Sequence, residues 1–302
     1  MIVVAGASGT LGPLLVPLFV GHDEPVRVVT RDPIAAGRKL SGVELVAGDV
    51  TQPRDARRAV DGARVVISAI TGFASPAGVR AVDADANRVL AEAAATAGVE
   101  HFILLSVAQA SADHPIELFR AKFAAEQAVR ASGVAWTVIR PTAYLETWLG
   151  LIGGPLVAKG RTVVFGQGRN PINFVSALDV ARFVDLAVAD TSLRGQILDV
   201  PGPENLTLDQ LVEITETASG RSGRASHTPR AAMRLLSLAL RPIDRMRAGQ
   251  IAAALVMDTR NMAVDGRAAR AAHPSIPMTT APAVAERLFP AHAGQTVRPA
   301  MT

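Results

Sequence analysis

The chain of 302 residues contains no cysteine and few aromatic residues. The lack of cysteine excludes disulfides, thiolate nucleophiles and cysteine-ligated metals. Six histidines are scattered without the paired spacing of metal ligands, so we expect no metal site. The formal net charge is only +4, and no basic run is interleaved with aromatics. Nucleic acid is therefore not an expected partner.

Long uncharged hydrophobic runs are also lacking. The longest weakly charged stretch, residues 141–158, carries Glu146 and several glycines, so we expect no membrane span. The first residues lack the basic leader of a signal peptide, which makes the cytoplasm the expected compartment. The arginines of residues 229–247 alternate with apolar residues, as in a solvated lid helix or in a helix that touches an anionic membrane. Monomer and homodimer both remain open.

What the first half does contain is a regular alternation of short apolar runs and helical stretches. The predicted strands cover residues 2–5, 26–30, 43–46, 64–70, 101–106 and 136–140, and the predicted helices between them cover residues 11–20, 34–40, 53–60, 79–97 and 116–131, with Gly98 as a left-handed C-cap. Such alternation builds right-handed parallel units with helices on both faces of one sheet. The sequence therefore predicts an α/β fold, a Rossmann-type doubly wound parallel sheet with a small C-terminal substrate lobe. We expect the nucleotide domain in residues 1–150, with 173–200 returning to it, and the lobe in residues 151–302. Further along, we expect a helix over residues 208–219 with Thr207 and Gln210 as its capping box, two helices within 229–257 separated at Arg241-Pro242, and a loose tail from about residue 291.

A glycine-rich turn, Gly6-Ala-Ser-Gly9-Thr-Leu-Gly12, follows the first strand and opens the first helix. Glycine permits the tight turn, and the amides at the start of the helix can face a pyrophosphate. The strand before the motif and the helix after it make this interpretation specific. The turn predicts a nicotinamide dinucleotide as cofactor.

The end of the second strand indicates which dinucleotide is bound. NAD-binding folds place a carboxylate there, but this chain has the uncharged Thr30 followed by Arg31. A guanidinium suits a 2′-phosphate, although Asp32 follows directly. We therefore expect NADP (NADPH), with NAD as second choice.

Several segments in order resemble the atypical short-chain dehydrogenase/reductases, in their NmrA-like and NAD(P)H-binding branch. The resemblance covers roughly residues 1–220. It is carried by GASGTLG at 6–12, VRVVTRDP at 26–33, AGDV at 47–50, AEAAATAGVEHFILLS at 91–106, FRAKFAAEQAVRASGVAWTVIRPTAYLETW at 119–148 and NFVSALDVARF at 173–183.

The resemblance implies a role for individual residues along the cofactor. The implied cofactor-binding residues are Gly6, Ser8, Gly9, Thr10, Leu11, Gly12, Thr30, Arg31, Asp49, Val50, Ala69, Ile70, Lys122 and Pro141. The glycine turn would hold the pyrophosphate, and the residues after the second and third strands would hold the adenosine. The residues after the fourth strand would line a ribose, with Ser106 and Lys122 near the nicotinamide and Pro141 to Tyr144 closing over it.

The catalytic pattern of the superfamily is incomplete here. Members typically carry a Tyr-x-x-x-Lys pair, and Lys122 fills the lysine position, but Leu118 stands where the tyrosine would be and cannot transfer a proton. Lys122 itself, Tyr144 or His114 could handle the proton instead. The candidate catalytic residues are therefore Lys122, Ser106 and Tyr144. Each of these positions could equally serve packing or ribose binding.

These observations favour an NADPH-dependent oxidoreductase that reduces a small, largely apolar acceptor, such as a quinone or an activated enone or carbonyl. The alternatives are a non-catalytic NADP(H)-binding redox sensor and, least expected, a nucleotide-sugar epimerase or dehydratase. One set of apolar residues could line a pocket or form the core between the lobes, and both interpretations stay open. These residues are Leu145, Trp148, Leu149, Leu151, Ile152, Met233, Leu235, Leu236 and Leu238.

Overall fold

The computed structural model describes residues 1–75 and 77–291. A seven-stranded sheet occupies the centre, with the order β3-β2-β1-β4-β5-β6-β10 and every neighbouring pair parallel. Its strands are β1 (Ile2–Ala5), β2 (Val26–Thr30), β3 (Glu44–Ala47), β4 (Val65–Ser68), β5 (His101–Leu105), β6 (Trp136–Pro141) and β10 (Ile197–Val200). This arrangement confirms the predicted Rossmann-type fold.

Helices cover both faces of this sheet. They are α1 (Gly12–Gly21), α2 (Pro33–Gly37), α3 (Pro53–Val60), α4 (Ala86–Thr96), α5 (Glu117–Ala131) and α7 (Ala177–Ala189). On one face α1 packs beside α7, and on the other α3, α4 and α5 pack side by side. The inner strands are buried along their whole length, which explains why they are continuous apolar runs rather than alternating ones.

The helix predicted before β5 is not regular throughout. It begins with a π-helical turn, Arg80–Asp85, and continues as α4. A π-turn widens the helix by one residue and is frequent at functional sites. Gly98, with a φ of +70°, follows the end of α4 at the expected left-handed position.

The remaining chain forms a lobe on the carboxyl side of the sheet. A three-stranded sheet has β9 (Ile172–Val175) between β7 (Ala143–Tyr144) and β11 (Glu204–Leu206), and a two-stranded sheet pairs β8 (Arg161–Phe165) with β12 (Arg224–Thr228). Three helices enclose the apolar core of the lobe: α6 (Leu145–Lys159), α8 (Leu208–Ser219) and α12 (Ala281–Leu288). The capping box predicted for α8, Thr207 with Gln210, is present.

A helical hairpin extends from the lobe back towards the sheet. It consists of α9 (Arg230–Leu240) and α10 (Arg245–Thr259), which separate at Arg241 and Pro242 as the sequence predicted. A salt bridge from Arg230 Nε to Asp258 Oδ2, 2.6 Å, joins the beginning of α9 to the end of α10. The short helix α11 (Arg267–Ala272) follows. The sequence predicts a loose tail from about residue 291. Residues 292–302, which make up nearly all of it, lie outside the described residues.

Candidate active site

The glycine turn lies between β1 and α1, against the end of β4. Gly6 has a φ of +91°, and a Cβ there would come within 2.5 Å of the Ala69 backbone, so this position requires glycine for the fold itself. Gly9 differs, because a Cβ on it would meet only the Gly6 carbonyl oxygen, at 3.5 Å. Packing within the protein therefore does not explain glycine at position 9, whereas close approach of a ligand to the backbone does.

The amides of this turn are suited to an anion. Helix α1 begins at Gly12 and its N-cap residue, Leu11, provides no side-chain cap. Within residues 1–75 and 77–291, the amides of Thr10, Leu11 and Gly12 have no hydrogen-bond acceptor. Unpaired amides at a helix N-terminus attract negative charge, so the turn fits a pyrophosphate.

Two charged residues, Arg31 and Asp32, follow the end of β2. Arg31 is exposed and forms no ion pair with any described residue. Asp32 caps α2, because its Oδ1 accepts a hydrogen bond of 2.9 Å from the Ala35 amide. The aspartate that complicated the choice of cofactor thus has a local structural function.

The residues expected around the adenine follow β3. The Gly48 amide bonds to the Thr30 carbonyl at 2.9 Å, which places this loop beside the end of β2. Asp49 Oδ1 accepts a hydrogen bond of 3.0 Å from the Thr51 amide, and Val50 packs partly buried against the apolar cluster under α3. The structure thus brings the predicted adenosine residues to one end of the sheet, next to the glycine turn.

Lys122 is buried and lies among three oxygens. Its Nζ donates hydrogen bonds to the carbonyls of Ile70, 2.8 Å, and Leu105, 3.0 Å, and forms an ion pair with Asp83 Oδ1 at 3.0 Å. The ion pair lacks hydrogen-bond geometry, because Asp83 Oδ1 has no hydrogen-bond donor among the described residues. Lys122 therefore joins the ends of β4 and β5 to each other and to the π-helical turn, with two of its three ammonium hydrogens donated to carbonyls.

The sequence did not single out the residues around this lysine. Asp83 is completely buried, and its Oδ2 accepts a hydrogen bond of 2.7 Å from the Gly72 amide. Asn87 lies one turn further, donates to the Asp83 carbonyl and accepts from Ser68 Oγ at 2.6 Å. The spacing of four between Asp83 and Asn87, which places both on one face of the helix, was the available signal.

Ser106 belongs to a second buried polar group. Its hydroxyl donates to Glu126 Oε1, and Glu126 also accepts two hydrogen bonds from Arg140, from Nε at 2.9 Å and Nη2 at 2.5 Å. Glu126 holds the pKa of the Arg140 guanidinium above its ordinary value. The described structure therefore shows Ser106 anchored to α5 and β6.

Tyr144, the only tyrosine, ends β7 and is half-buried against the main core. Burial, with a smaller contribution from the Glu146 carboxylate, raises the pKa of its hydroxyl far above the ordinary value. The phenol therefore stays neutral and can donate a hydrogen bond, but it is a poor proton source. Nearby, the hydroxyls of Thr10 and Thr147 are 3.0 Å apart, which links the glycine turn to α6.

An apolar cluster lies beyond the carboxyl ends of β4 and β5, where it is covered by α10. We call it the acceptor cluster; its members are Phe73, Val107, Ile116, Leu118, Phe119, Ala253, Val256, Met257 and Met262. Leu118 precedes Lys122 by one turn of α5, and Gln250 of α10 bonds to the Phe73 carbonyl at 2.9 Å. The position that carries tyrosine in typical members thus belongs to an apolar wall.

His114 stands at the edge of this cluster, stacked on Phe119 with a centroid distance of 4.1 Å. Its Nδ1 accepts a hydrogen bond of 3.1 Å from the Ile116 amide. Burial is the main cause that lowers the pKa of its imidazole. The ring is therefore neutral near pH 7 and poorly suited to supply a proton.

The apolar residues whose role the sequence left open separate into two groups. Leu145, Leu149 and Ile152 are buried in the core of the lobe, Trp148 packs partly buried against that core, and Met233 of α9 is also buried. Leu151, Leu235, Leu236 and Leu238 are exposed, so they belong neither to this core nor to an enclosed pocket. The last three lie on α9.

Two features are absent from the described part of the chain. No helix there is long and apolar enough to cross a membrane. No group of three or more histidine or carboxylate side chains there could hold a metal ion.

The parallel sheet, its strand order and the glycine turn define the class of Rossmann-type dinucleotide-binding proteins. Within this class the chain belongs to the NmrA-like family, whose model matches residues 1–273. The resemblance inferred from the sequence is thereby confirmed.

Two relatives of this chain differ in what their names describe. The NAD(P)H azoreductase of Xenophilus azovorans is 29% identical over 227 residues, 74% of this chain and 76% of the relative. The photosystem II assembly factor Ycf39 of Cyanophora paradoxa is 27% identical over 236 residues, 78% of this chain and 73% of that protein. The chain is therefore similar both to a reductase and to an assembly factor.

A solved structure extends the likeness to almost the whole chain. An NADPH-dependent quinone oxidoreductase of Escherichia coli, solved with NADPH, superposes with a TM-score of 0.74 at 20% identity. The match covers 96% of this chain and all of that one. It confirms the fold, including the lobe.

Proposed function

We propose that this protein is an NADPH-dependent oxidoreductase that reduces a small, largely apolar acceptor, with quinones as the preferred class. The main support for the proposal is that two features lie at the same edge of the sheet. The glycine turn offers amides to a dinucleotide, and the acceptor cluster follows β4 and β5 at the same edge. In open parallel sheets this edge is where ligands bind.

NADPH is the proposed cofactor, as the sequence predicted. The guanidinium of Arg31, which has no ion pair within residues 1–75 and 77–291, supports it, because Arg31 follows the strand that holds the adenosine ribose in such folds. The azoreductase and the quinone oxidoreductase, by their names, use NAD(P)H and NADPH. Thr30 and Arg31 would hold the ribose with its phosphate, and Gly9 to Gly12 the pyrophosphate.

The acceptor class follows from the chemistry of the cluster. When bound, reduced nicotinamide supplies a hydride. Transfer of that hydride to a quinone and uptake of one proton give the hydroquinone and the oxidised cofactor. The cluster offers aliphatic and aromatic surface, and its polar neighbour His114 stays neutral. Such a site favours an electrophilic acceptor that can take its proton from water.

Under this proposal Lys122, Ser106 and Tyr144 help to position the cofactor and the acceptor. They do not transfer protons. Lys122 fixes the ends of β4 and β5, and Ser106 fixes the end of β5 to Glu126 and Arg140. Tyr144 can donate a hydrogen bond to an acceptor oxygen. Positioning of this kind lowers the barrier without proton transfer by the protein.

The test is oxidation of NADPH by purified protein with a panel of quinones, enones and azo compounds. We expect turnover with quinones and slower or no turnover with simple ketones, which require an acid. Tight binding of NADPH without oxidation by any acceptor would contradict the proposal.

A second candidate is a non-catalytic NADP(H)-binding regulator. The burial of Lys122 and its contacts with two carbonyls and the Asp83 carboxylate favour it, as does the similarity to an assembly factor. This candidate predicts tight binding of NADP(H), selectivity between its oxidised and reduced forms, and no turnover. Sugar epimerisation is not proposed, because Leu118 replaces the required tyrosine. The cytoplasm, expected from the sequence, remains a prediction.

A further inference from the structure

The hairpin formed by α9 and α10 ends in a surface that the proposed reaction does not use. We call residues 231–247 the hairpin tip. Four of the nine exposed large aliphatic side chains in the described chain occur here, although the tip is a small part of the molecule. These are Leu235, Leu236, Leu238 and Ile243, with exposed fractions of 70%, 48%, 56% and 82%. Such a concentration of exposed apolar side chains indicates an interaction surface.

The charge around these side chains has one sign. Asp244 is the only acidic residue between positions 217 and 257. It is already engaged, because its Oδ1 accepts a hydrogen bond of 3.0 Å from the Arg247 amide and its Oδ2 lies 3.3 Å from Arg247 Nε. Arg234, Arg241 and Arg245 are exposed and have no ion pair within residues 1–75 and 77–291. The tip thus combines projecting aliphatic groups with unneutralised guanidinium groups.

We propose that the hairpin tip docks on the surface of an anionic lipid bilayer. Aliphatic side chains can enter the acyl boundary while arginines remain at the level of the lipid phosphates. A second copy of this chain fits less well, because a symmetric contact would bring these arginines against their own copies with no free carboxylate to pair with. A nucleic acid would leave the leucines without a partner.

The tip is continuous with the acceptor cluster through α10. Ala253, Val256 and Met257 of this helix belong to the cluster, and Gln250 holds it to the loop after β4. Docking of the tip therefore brings the covering helix of the acceptor site close to the bilayer. This makes a lipid-dissolved quinone the acceptor class, a consequence that rests on the proposed function.

The experiment is flotation of the full chain with phosphatidylcholine vesicles, with and without phosphatidylglycerol, in the absence of cofactor and quinone. We expect binding only to the anionic vesicles and loss of binding at high salt. Replacing Arg234, Arg241 and Arg245 by glutamine should weaken the partition coefficient roughly 100-fold, since each arginine near such a surface contributes about 1 kcal/mol. Leu235→Ser with Ile243→Ser should weaken it by tenfold or more, since both side chains lose burial.

Two sets of variants away from the tip serve as matched controls. Arg57, Arg161 and Arg169 are exposed arginines, and their replacement by glutamine should leave flotation within about twofold, because charges away from the contact are screened. The double substitution Val163→Ser with Leu288→Ser removes exposed aliphatic groups away from the hairpin tip. It should also leave flotation within about twofold. Equal losses in tip and control variants would overturn the proposal. So would self-association, measured by sedimentation, that the Leu235 and Ile243 substitutions abolish.

The outcomes separate this inference from the proposed function. Turnover of a water-soluble quinone by the tip variants should equal that of the unaltered protein. Turnover without flotation would refute the bilayer contact and leave the reductase proposal standing. Flotation without turnover of any quinone would refute the reductase proposal and leave the bilayer contact standing.

Discussion

At the scale of single residues, the buried pair of Lys122 and Asp83 determines how the site can work. The lysine and the aspartate are 5% and 0% exposed, and both take part in further hydrogen bonds. A buried pair of this kind adds little net stability, but the loss of one partner leaves an uncompensated charge. Substitutions can therefore distinguish what the pair contributes to stability from what it contributes to function.

Lys122→Met should lower the free energy of unfolding by roughly 3–5 kcal/mol, because the Asp83 carboxylate is left buried without its cation. Lys122→Met combined with Asp83→Asn should recover much of this loss, since an asparagine oxygen can still accept from the Gly72 amide. Denaturant unfolding of both variants measures the difference. A double variant as unstable as the single one would show that the ion pair is not the cause.

Arg31 gives the residue-scale test of cofactor choice. Arg31→Ala should weaken NADPH binding by roughly 10- to 100-fold, the effect of one charge-assisted contact, and NADH binding only slightly. Arg57→Ala, a change at another exposed arginine, should alter neither affinity. Equal losses for the two cofactors on replacing Arg31 would remove the argument from the 2′-phosphate.

At the scale of elements, the sequence predicted the regular strands and helices and missed the irregular ones. Strands β1 and β2 and helices α3 and α8 match their predicted bounds, because apolar runs and caps determine them locally. The π-helical turn at Arg80–Asp85 was missed, since its sequence has ordinary helical periodicity. The short strands β7 and β11 depend on pairing with β9, which a local pattern does not show.

The same distinction applies to the candidate site: the sequence predicted the parts that follow local motifs and missed the parts formed by residues distant in the chain. The glycine turn and the ends of β2 and β3 were predicted, because they follow local motifs. The partners of Lys122 and Ser106 were not, since Asp83, Glu126 and Arg140 become neighbours only in the folded chain. The spacing of four from Lys122 to Glu126 does place both on one face of α5, a signal that both would be buried.

The glycine turn provides a prediction at this scale. Gly9→Ala should leave the unfolding temperature nearly unchanged, because its Cβ has room, and should weaken dinucleotide binding by tenfold or more. Gly21→Ala, in the last position of the following helix with nothing within 4 Å, is the matched control and should leave binding unaltered. Thermal unfolding and cofactor titration of both variants check this. A large loss of stability in Gly9→Ala with unchanged binding would contradict the assignment.

At the scale of the whole molecule, the sheet carries a buried histidine that makes stability depend on pH. His101 Nε2 lies 2.8 Å from Thr137 Oγ1, whose own hydrogen is donated to the Leu193 carbonyl, so the imidazole is the donor in this hydrogen bond. Burial, followed by the charges of Arg194 and Arg64, lowers the pKa of His101 from 6.5 to about 4.

Because the folded pKa lies below the unfolded one, the unfolded chain binds more protons between the two values. The contribution of His101 is fully present above pH 6.5 and is lost as the pH falls towards about 4. We expect a loss of roughly 3 kcal/mol over this range, measured by denaturant unfolding. His101→Gln should flatten this part of the profile. An unchanged slope in that variant would assign the acid sensitivity to other groups.

The whole molecule therefore combines a dinucleotide-binding sheet with a lobe whose hairpin covers an apolar site. The amides of residues 10–12 must bind a dinucleotide for either proposed function to hold. The most direct test is a calorimetric titration of the unaltered protein with NADPH and, separately, with NADH. We expect saturable binding of one NADPH per chain, tighter than that of NADH. Absence of heat or saturation with both dinucleotides would contradict it.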